Sequence, residues 1–207
     1  MLKAVAKNYR VVQLILIGDY SNWPPTKGRE AAFKQSIADI ATSHGVETRY
    51  LDFASHRHDV NAETKTRVAK AVHQIKPDVA FYLWEHDNHH DHTVASQLSK
   101  IALRHGGRVL NEDRFKSPKT AYQYDNGPGH TIGFEPDTYV DISDYWDQAN
   151  RWLGESMAVL QKKPYDPNSP SRSQEGKEIL ARYRGRACGV SHAEAVYTPR
   201  KRPVEIL

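Results

Sequence analysis

The sequence predicts an α/β fold of three layers, in which helices cover both faces of a mainly parallel sheet. Its first strand is Val11–Ile17, an uninterrupted apolar segment of the kind that forms a strand buried on both faces. Helical and strand-like periodicities then alternate along the first half of the chain, which is the pattern of a parallel sheet with crossover helices. In such folds ligands bind at the carboxyl ends of the strands, so a functional site is expected in the loops that follow them.

Each element of the first half has its own signal. Phe33, Ile37 and Ile40 recur at helical spacing, and Gly45 is placed to end that helix. The later helices show the same spacing and are expected to end before Pro77 and at Gly106-Gly107. The predicted elements are the strand Val11–Ile17, a helix over residues 29–44, the strand Glu47–Phe53, a helix that includes Val68–Ile75, the strand Val79–Trp84 and a helix that includes Val94–Ala102.

The second half is less regular and is expected to complete the same domain. A helical pattern of apolar residues begins at Trp146 and continues to about residue 162. Three prolines then indicate a loop over residues 163–173, and a last helix is expected before Gly185. The sequence therefore predicts a single domain over residues 1–207, with the Pro-rich loop inside it.

Composition limits the classes of protein to which the chain can belong. The net charge of +4 is too small to indicate a nucleic-acid-binding protein, and we find no basic and aromatic surface motif. The chain has one cysteine, Cys188, so no disulfide can form within it, and this favours a cytoplasmic protein. We expect Cys188 to be buried. No segment approaches the ~20 apolar residues that cross a bilayer, so we expect no membrane span.

The most informative segment is Glu85–His92, which contains four of the eleven histidines. It follows a predicted strand and precedes a predicted helix, the position at which a parallel sheet places its ligand site. Neutral imidazole is the commonest ligand of transition metals, so His89 and His92 are candidates for a divalent metal site. Asp91 could orient one of these rings by accepting its N–H. A polar surface loop without a function is the alternative.

The same segment resembles a known signature. His89-His90-Asp91-His92, after a strand introduced by Pro77-Asp78-Val79, resembles the His-x-Asp-His signature of the PIG-L/LmbE-like deacetylase family. Other segments that agree with the family occur in the same order along the chain: Gly18-Asp19, Gly45-Val46, Phe134–Asp137, Val140–Ser143 and Ala193–Ala195.

The resemblance implies a Rossmann-like fold and a zinc-dependent hydrolase that removes an N-acetyl group from an N-acetylglucosamine-type sugar or conjugate. It implies that His92 binds Zn²⁺ or another divalent metal. It implies that His89 stabilises the transition state or protonates the leaving amine, and that Asp91 orients a histidine. The partner would therefore be a small N-acetylated sugar or glycoconjugate.

One family signature has no counterpart here. The Ala-His-Pro-Asp-Asp segment, which in the family supplies two more ligands and the general base, does not occur, and Val11–Ile17 matches the family's second strand. We therefore expect a domain that lacks the family's first strand and is truncated at its amino end. An exposed edge of Val11–Ile17 would then favour homo-oligomers. Two alternatives follow: an inactive relative or sugar-binding protein, and a metal site formed within the loop by His86 together with His89, His90 or His92.

Three further residues are candidates for contact with the substrate. Asp19 could bind a sugar hydroxyl, although an aspartate after glycine also forms turns. Trp84, directly before the histidine-rich segment, could stack against a sugar. His130, in a Gly-Pro-Gly-His segment, could reach the site from a second loop, although loops also carry histidines without a function.

Overall fold

The computed structural model describes residues 1–127 and 129–199, which form two compact units. Unit 1 comprises Met1–His58 and Asp141–Glu194, and unit 2 comprises Asp59–Val140 and the described residues from Ala195. The single domain predicted for residues 1–207 is not tested by this division and stays a prediction.

The helices are α1 (Leu2–Val5), α2 (Glu30–Ser43), α3 (Ala62–Ile75), α4 (His90–Leu110), α5 (Trp146–Gln161) and α6 (Arg172–Cys188), and the strands are β1 (Val11–Asp19), β2 (Val46–Ala54), β3 (Val79–Leu83), β4 (Thr120–Tyr124), β5 (Thr138–Asp141) and β6 (Ala193–Tyr197).

Unit 1 contains a parallel pair of strands, with α2 packed on β2. β1 pairs with β2 in a parallel register that runs from Val11 opposite Val46 to Asp19 opposite Ala54. At Gly18 the chains approach so closely that a Cβ would overlap the carbonyl of Leu51, which explains glycine at this position. Most of β1 is only partly buried, so the expectation of a strand buried on both faces was wrong for this segment.

Unit 2 contains the strand and helix that carry the histidine-rich segment. The four-stranded sheet has the order β3-β4-β6-β5; β3 and β4 are parallel, and β4 and β6 are antiparallel. α4 packs on β3 and on α3, with Leu98 fully buried. The hydroxyl of Ser96 donates to the carbonyl of Leu83 at 2.7 Å and so ties α4 to the end of β3. The α/β class with mainly parallel pairing is confirmed, whereas the missing first strand stays a prediction.

α4 begins and ends elsewhere than predicted. It begins at His90, so the last three residues of the histidine-rich segment form its first turn rather than a loop. It continues through Gly106-Gly107 to Leu110, where Asn111 takes the left-handed conformation that ends the helix. The prediction from the glycines was wrong because Gly106 serves packing: a Cβ there would overlap the ring of Phe115.

α6 also differs from the prediction. Ser171 caps its first turn by accepting the N–H of Gln174, so the Pro-rich loop ends two residues earlier than expected. The helix continues past Gly185 to Cys188 and ends at Gly189, which has a φ of 80°. Cys188 is exposed, so its predicted burial was wrong. None of the helices in residues 1–127 and 129–199 is both long and apolar enough to cross a bilayer.

Candidate metal centre

The histidine-rich segment connects β3 to α4 and is fixed at both ends. Trp84 continues the pairing with β4, because its N–H donates to the carbonyl of Tyr124 at 2.8 Å. His89 is the N-cap of α4, and its Nδ1 accepts the N–H of Asp91 at 3.2 Å. The side chains of the segment are therefore held by strand pairing on one side and by a helix cap on the other.

A second loop, on the carboxyl side of β4, lies along this segment. Asp87 and Thr131 form an antiparallel bridge. The N–H of Asn88 donates to the carbonyl of His130, and the N–H of Ile132 donates to that of His86, both at 3.0 Å. This pairing brings His130 beside the start of α4, although it lies 42 residues after Asn88 in the sequence.

Asp87, His92 and His130 together form a cluster of metal-ligating groups. Their nearest ligand atoms all lie within 4.8 Å of one another. Oδ1 of Asp87 is 3.0 Å from Nδ1 of His92 and 3.9 Å from Nδ1 of His130. The rings of His92 and His130 have centroids 5.3 Å apart. These three residues are called the Asp87–His92–His130 cluster below.

The carboxylate of Asp87 is the buried member of the cluster. Its side chain is only 3% exposed, whereas those of His92 and His130 are 25% and 46% exposed. Its Oδ1 also accepts the N–H of His89 at 2.8 Å. The carboxylate thus faces one N–H donor and the two imidazoles of the cluster.

The donors of the cluster are those that zinc uses. Zinc takes imidazole nitrogen and carboxylate oxygen, and two ligand atoms bound at about 2.0–2.1 Å in a tetrahedron lie about 3.4 Å apart. The separations of 3.0 and 3.9 Å from Asp87 to the two imidazoles lie on either side of that value. The residues present therefore suit a divalent metal held by one carboxylate and two imidazoles.

His89 and Asp91 lie next to the cluster. The ring of His89 stacks on that of His92 with centroids 4.6 Å apart, and its side chain is 34% exposed. Asp91 is buried, and its carboxylate is 4.0 Å from Nδ1 of His89. The shorter contact of that nitrogen is with the N–H of Asp91 rather than with its carboxylate. His89, Asp91 and His92 are thus brought together at the amino end of α4.

The loop histidines of the alternative metal site lie apart from this cluster. His90 is exposed, with Nε2 3.7 Å from the carboxylate of Asp59. His86 is exposed as well, with its ring edge-on to Trp84 at 5.5 Å. The cluster combines two residues of the histidine-rich segment with His130 and includes neither His86 nor His90.

The three residues predicted to contact substrate have different surroundings. Trp84 lies edge-on to three aromatic rings, and its Nε1 donates to the carbonyl of Ile132, so it anchors the second loop. His130 belongs to the cluster. Asp19 lies in unit 1 and accepts the N–H of Ser21, and hydrogen bonds from Ser21 lower the pKa of its carboxyl. A substrate contact by any of the three stays a prediction.

Asp87 is the member of the cluster that sequence reasoning missed. The histidine-rich segment contains two aspartates, and the family signature drew attention to Asp91 alone. The bridge between Asp87 and Thr131 gives Asp87 its position, and such a pairing between distant loops leaves no periodic signal in the sequence. The glycines around His130 were the one local indication of a tight loop there.

Comparison with known proteins shows what the fold has in common with others. No family model and no curated protein matches the sequence. Among solved structures, the conserved protein TT1542 from Thermus thermophilus matches with a TM-score of 0.78 and 23% identity, over 99% of this chain and 88% of that one. GalB, the 4-carboxy-2-hydroxymuconate hydratase from Pseudomonas putida, matches with a TM-score of 0.74 and 15% identity, over 100% of this chain and 90% of that one. The N,N'-diacetylchitobiose deacetylase from Pyrococcus horikoshii matches with a TM-score of 0.73 and 16% identity, over 95% of this chain and 75% of that one.

These similarities concern the fold. At such identities they establish a shared α/β architecture, which supports more than one chemistry, since a deacetylase and a hydratase are both among the neighbours. The chain therefore has a Rossmann-like α/β fold that it shares with a chitobiose deacetylase and with a hydratase.

Proposed function

We propose that this protein is a divalent-metal-dependent amide hydrolase that removes the acetyl group from an N-acetylglucosamine-type sugar or conjugate. The observation that carries the proposal is the Asp87–His92–His130 cluster at the carboxyl end of β3. In open α/β folds this is the edge at which ligands bind. The shared fold with a chitobiose deacetylase supports the choice of an N-acetylated sugar over other amides.

Asp87, His92 and His130 would hold the metal, which we propose to be zinc. A metal bound there would lower the pKa of a water molecule and polarise the acetyl carbonyl. Asp87 offers the negative charge, and its burial keeps that charge unscreened by solvent. This set differs from the resemblance, which assigns to the chain one ligand, His92, and places the others in an upstream segment.

We assign to His89 the stabilisation of the transition state through a hydrogen bond that its ring donates. It stacks on His92 and is more exposed than that residue, so a substrate over the cluster could reach its ring. Because Nδ1 of His89 accepts the N–H of Asp91, the proton of the neutral ring belongs on Nε2, the nitrogen farther from the helix backbone. Asp91 and the helix cap thus fix the orientation and the tautomer of His89.

The proposal is tested by acetate release from N-acetylglucosamine and from N-acetylglucosaminyl conjugates. Zinc-loaded protein should release acetate, and chelation followed by zinc addition should abolish and restore the reaction. His92→Ala and His130→Ala should lose both zinc and activity. His90→Ala is the matched control, since His90 is a neighbouring exposed histidine outside the cluster and should keep both.

Each other outcome has a definite meaning. Stoichiometric zinc without acetate release would reject the hydrolase and favour a sugar-binding or inactive relative. Acetate release that survives both His92→Ala and His130→Ala would place the chemistry elsewhere and reject the cluster as its centre.

A further inference from the structure

Helix α6, in unit 1, carries apolar side chains on its solvent-facing side as well as on its inner side. The inner side packs on α5 and contains the buried residues Gln174, Ala181 and Gly185. Ile179 and Tyr183 lie one turn apart on the opposite side, about 160–200° around the helix axis from Ala181. They are 67% and 65% exposed. Two large apolar side chains so placed indicate a surface that contacts another protein.

Tyr183 is suited to the centre of such a contact. The guanidinium of Arg184 lies over its ring, 5.3 Å from the centroid, and restricts the ring while leaving most of the side chain exposed. A restricted tyrosine buries a large apolar area on binding and loses little conformational entropy, which is why aromatic residues are enriched in protein interfaces.

The charges beside Ile179 and Tyr183 change sign along the helix. Glu175 lies in the first turn and Arg186 in the last turn, and both are exposed. Eleven residues separate them, which is about three turns, so both lie on the same flank of the apolar side chains. A helix with this order of charges presents a negative end and a positive end to a partner.

A second copy of α6, lying antiparallel, matches this order. A twofold axis beside Ala181 places Ile179 of each copy opposite Tyr183 of the other, because both residues are two positions from Ala181. The axis also brings each flank of the helix against the same flank of the copy. Glu175 then lies within about 1.5 Å, along the helix axis, of Arg186 of the other copy. The surface is therefore complementary to itself in shape and charge, as an interface between identical chains requires.

Arg182 is the charged residue that lies nearest to its own copy in this arrangement. Its Nε donates to Oε1 of Glu178, which also lies 3.2 Å from Nε2 of His192. Partial burial acts to raise the pKa of Glu178, but the hydrogen bonds from Arg182 and His192 lower it, so the carboxylate is ionised at neutral pH. The charge of Glu178 offsets that of Arg182 and so reduces repulsion at the axis.

We propose that α6 forms a twofold-symmetric, antiparallel pair with α6 of a second copy of this chain. Ile179 and Tyr183 form the centre of the contact, and Glu175 and Arg186 form its ends. α6 has 17 residues and is therefore about 26 Å long. With a width of about 10 Å it offers a footprint of roughly 260 Å², well below the ~800 Å² per partner of a stable complex. The dimer is therefore weak, with a dissociation constant on the order of 10–100 µM.

Analytical ultracentrifugation of the full chain over about 5–500 µM tests this dimer. The unaltered protein should change from monomer to dimer over this range, and added salt should weaken the dimer because its end contacts are ionic. Ile179→Lys and Tyr183→Lys should each weaken dimerisation at least about tenfold, since each removes two apolar contacts and adds two charges. Tyr9→Lys is the matched control: Tyr9 is 68% exposed and also lies in unit 1, but outside α6, so dimerisation should be unchanged.

Charge reversal tests the antiparallel arrangement. Glu175→Arg or Arg186→Glu converts two opposite-charge pairs into two like-charge pairs and should weaken dimerisation roughly fourfold to thirtyfold. The double variant exchanges the signs within both pairs and should restore dimerisation. Circular dichroism checks that each variant keeps the helix content of the unaltered protein.

A monomer at every concentration would overturn the proposal. Self-association that survives both Ile179→Lys and Tyr183→Lys would place the interface elsewhere, such as at the edge of β1, and would overturn it as well. A folded double variant that dimerises no better than the single charge reversals would reject the antiparallel arrangement. Zinc content and acetate release are not part of this test, so the proposed function can fail or stand independently of it.

Discussion

Replacing Asp87 by asparagine separates the charge of the cluster from its shape. Asparagine keeps an oxygen that can accept the N–H of His89, which in the protein donates to Asp87 at 2.8 Å. The substitution removes the negative charge that lies 3.0 Å from Nδ1 of His92. We therefore expect Asp87→Asn to fold normally and to bind zinc at least about a hundredfold more weakly, since loss of a supporting group alone costs roughly 10–100-fold.

The expected change can be measured as thermal stability. Zinc at about 100 times its dissociation constant stabilises the folded protein by about 2.7 kcal/mol, and this raises Tm by roughly 5–11 °C for a chain of this length. At the same zinc concentration a hundredfold weaker variant gains only about 0.4 kcal/mol, or roughly 1–2 °C. The assay is the melting temperature of chelator-treated protein with and without zinc.

Asp59→Asn is the matched control for this measurement. Asp59 is an exposed aspartate that also lies near a histidine, with Oδ1 3.7 Å from Nε2 of His90, but it is outside the cluster. The control should keep the full zinc-dependent rise in Tm. An equal rise in Asp87→Asn and in the unaltered protein would refute the assignment of Asp87 as a ligand.

Three further outcomes follow from the structure. Gly106→Ala should lower the free energy of unfolding by about 1–3 kcal/mol and lower Tm. Gly176→Ala, with nothing within 4 Å of the added Cβ, should leave Tm unchanged or raise it. Equal changes of Tm in the two variants would contradict the close packing of Phe115 on Gly106. His89→Ala should keep zinc and lower kcat by roughly 10²–10⁴-fold, and His92→Ala should lose zinc; equal loss of metal would reject these roles. The pKa of Glu178 is lowered from 4.5, so its ionised form stabilises the folded protein at pH values above that range. The loss of unfolding free energy in Glu178→Gln should therefore become smaller as the pH falls through the pKa that Glu178 has in the folded protein. A loss that does not change with pH would contradict this role of Glu178.

The elements that were predicted well are those with strong local patterns. β2, β3, α2 and α5 lie within a residue or two of the predicted bounds, because burial of one helix face or of a strand imposes a period on the sequence. The start of α4 was placed too late, since the polar residues of its first turn carry no apolar period. Its end was placed too early, because Gly106 was taken as a helix end when it allows close packing of Phe115.

At the candidate metal centre, too, the features set by local sequence were predicted and the contact between distant segments was not. The position of the histidine-rich segment after β3 followed from strand and helix order, and the structure puts it there. The partnership of Asp87 with His130 depends on pairing between two loops that are far apart in sequence. Sequence periodicity does not encode such a contact, so the sequence predicted His92 as a ligand and His130 only as a candidate for substrate contact.

X-ray absorption at the zinc edge of the zinc-loaded protein tests the central claim most directly, because it counts the imidazoles around the metal. The account predicts one bound zinc with two imidazole nitrogens and a carboxylate oxygen at about 2.0–2.2 Å, and one imidazole fewer in His130→Ala. A zinc with a single imidazole, or a spectrum that His130→Ala leaves unchanged, would contradict the Asp87–His92–His130 cluster as the metal site.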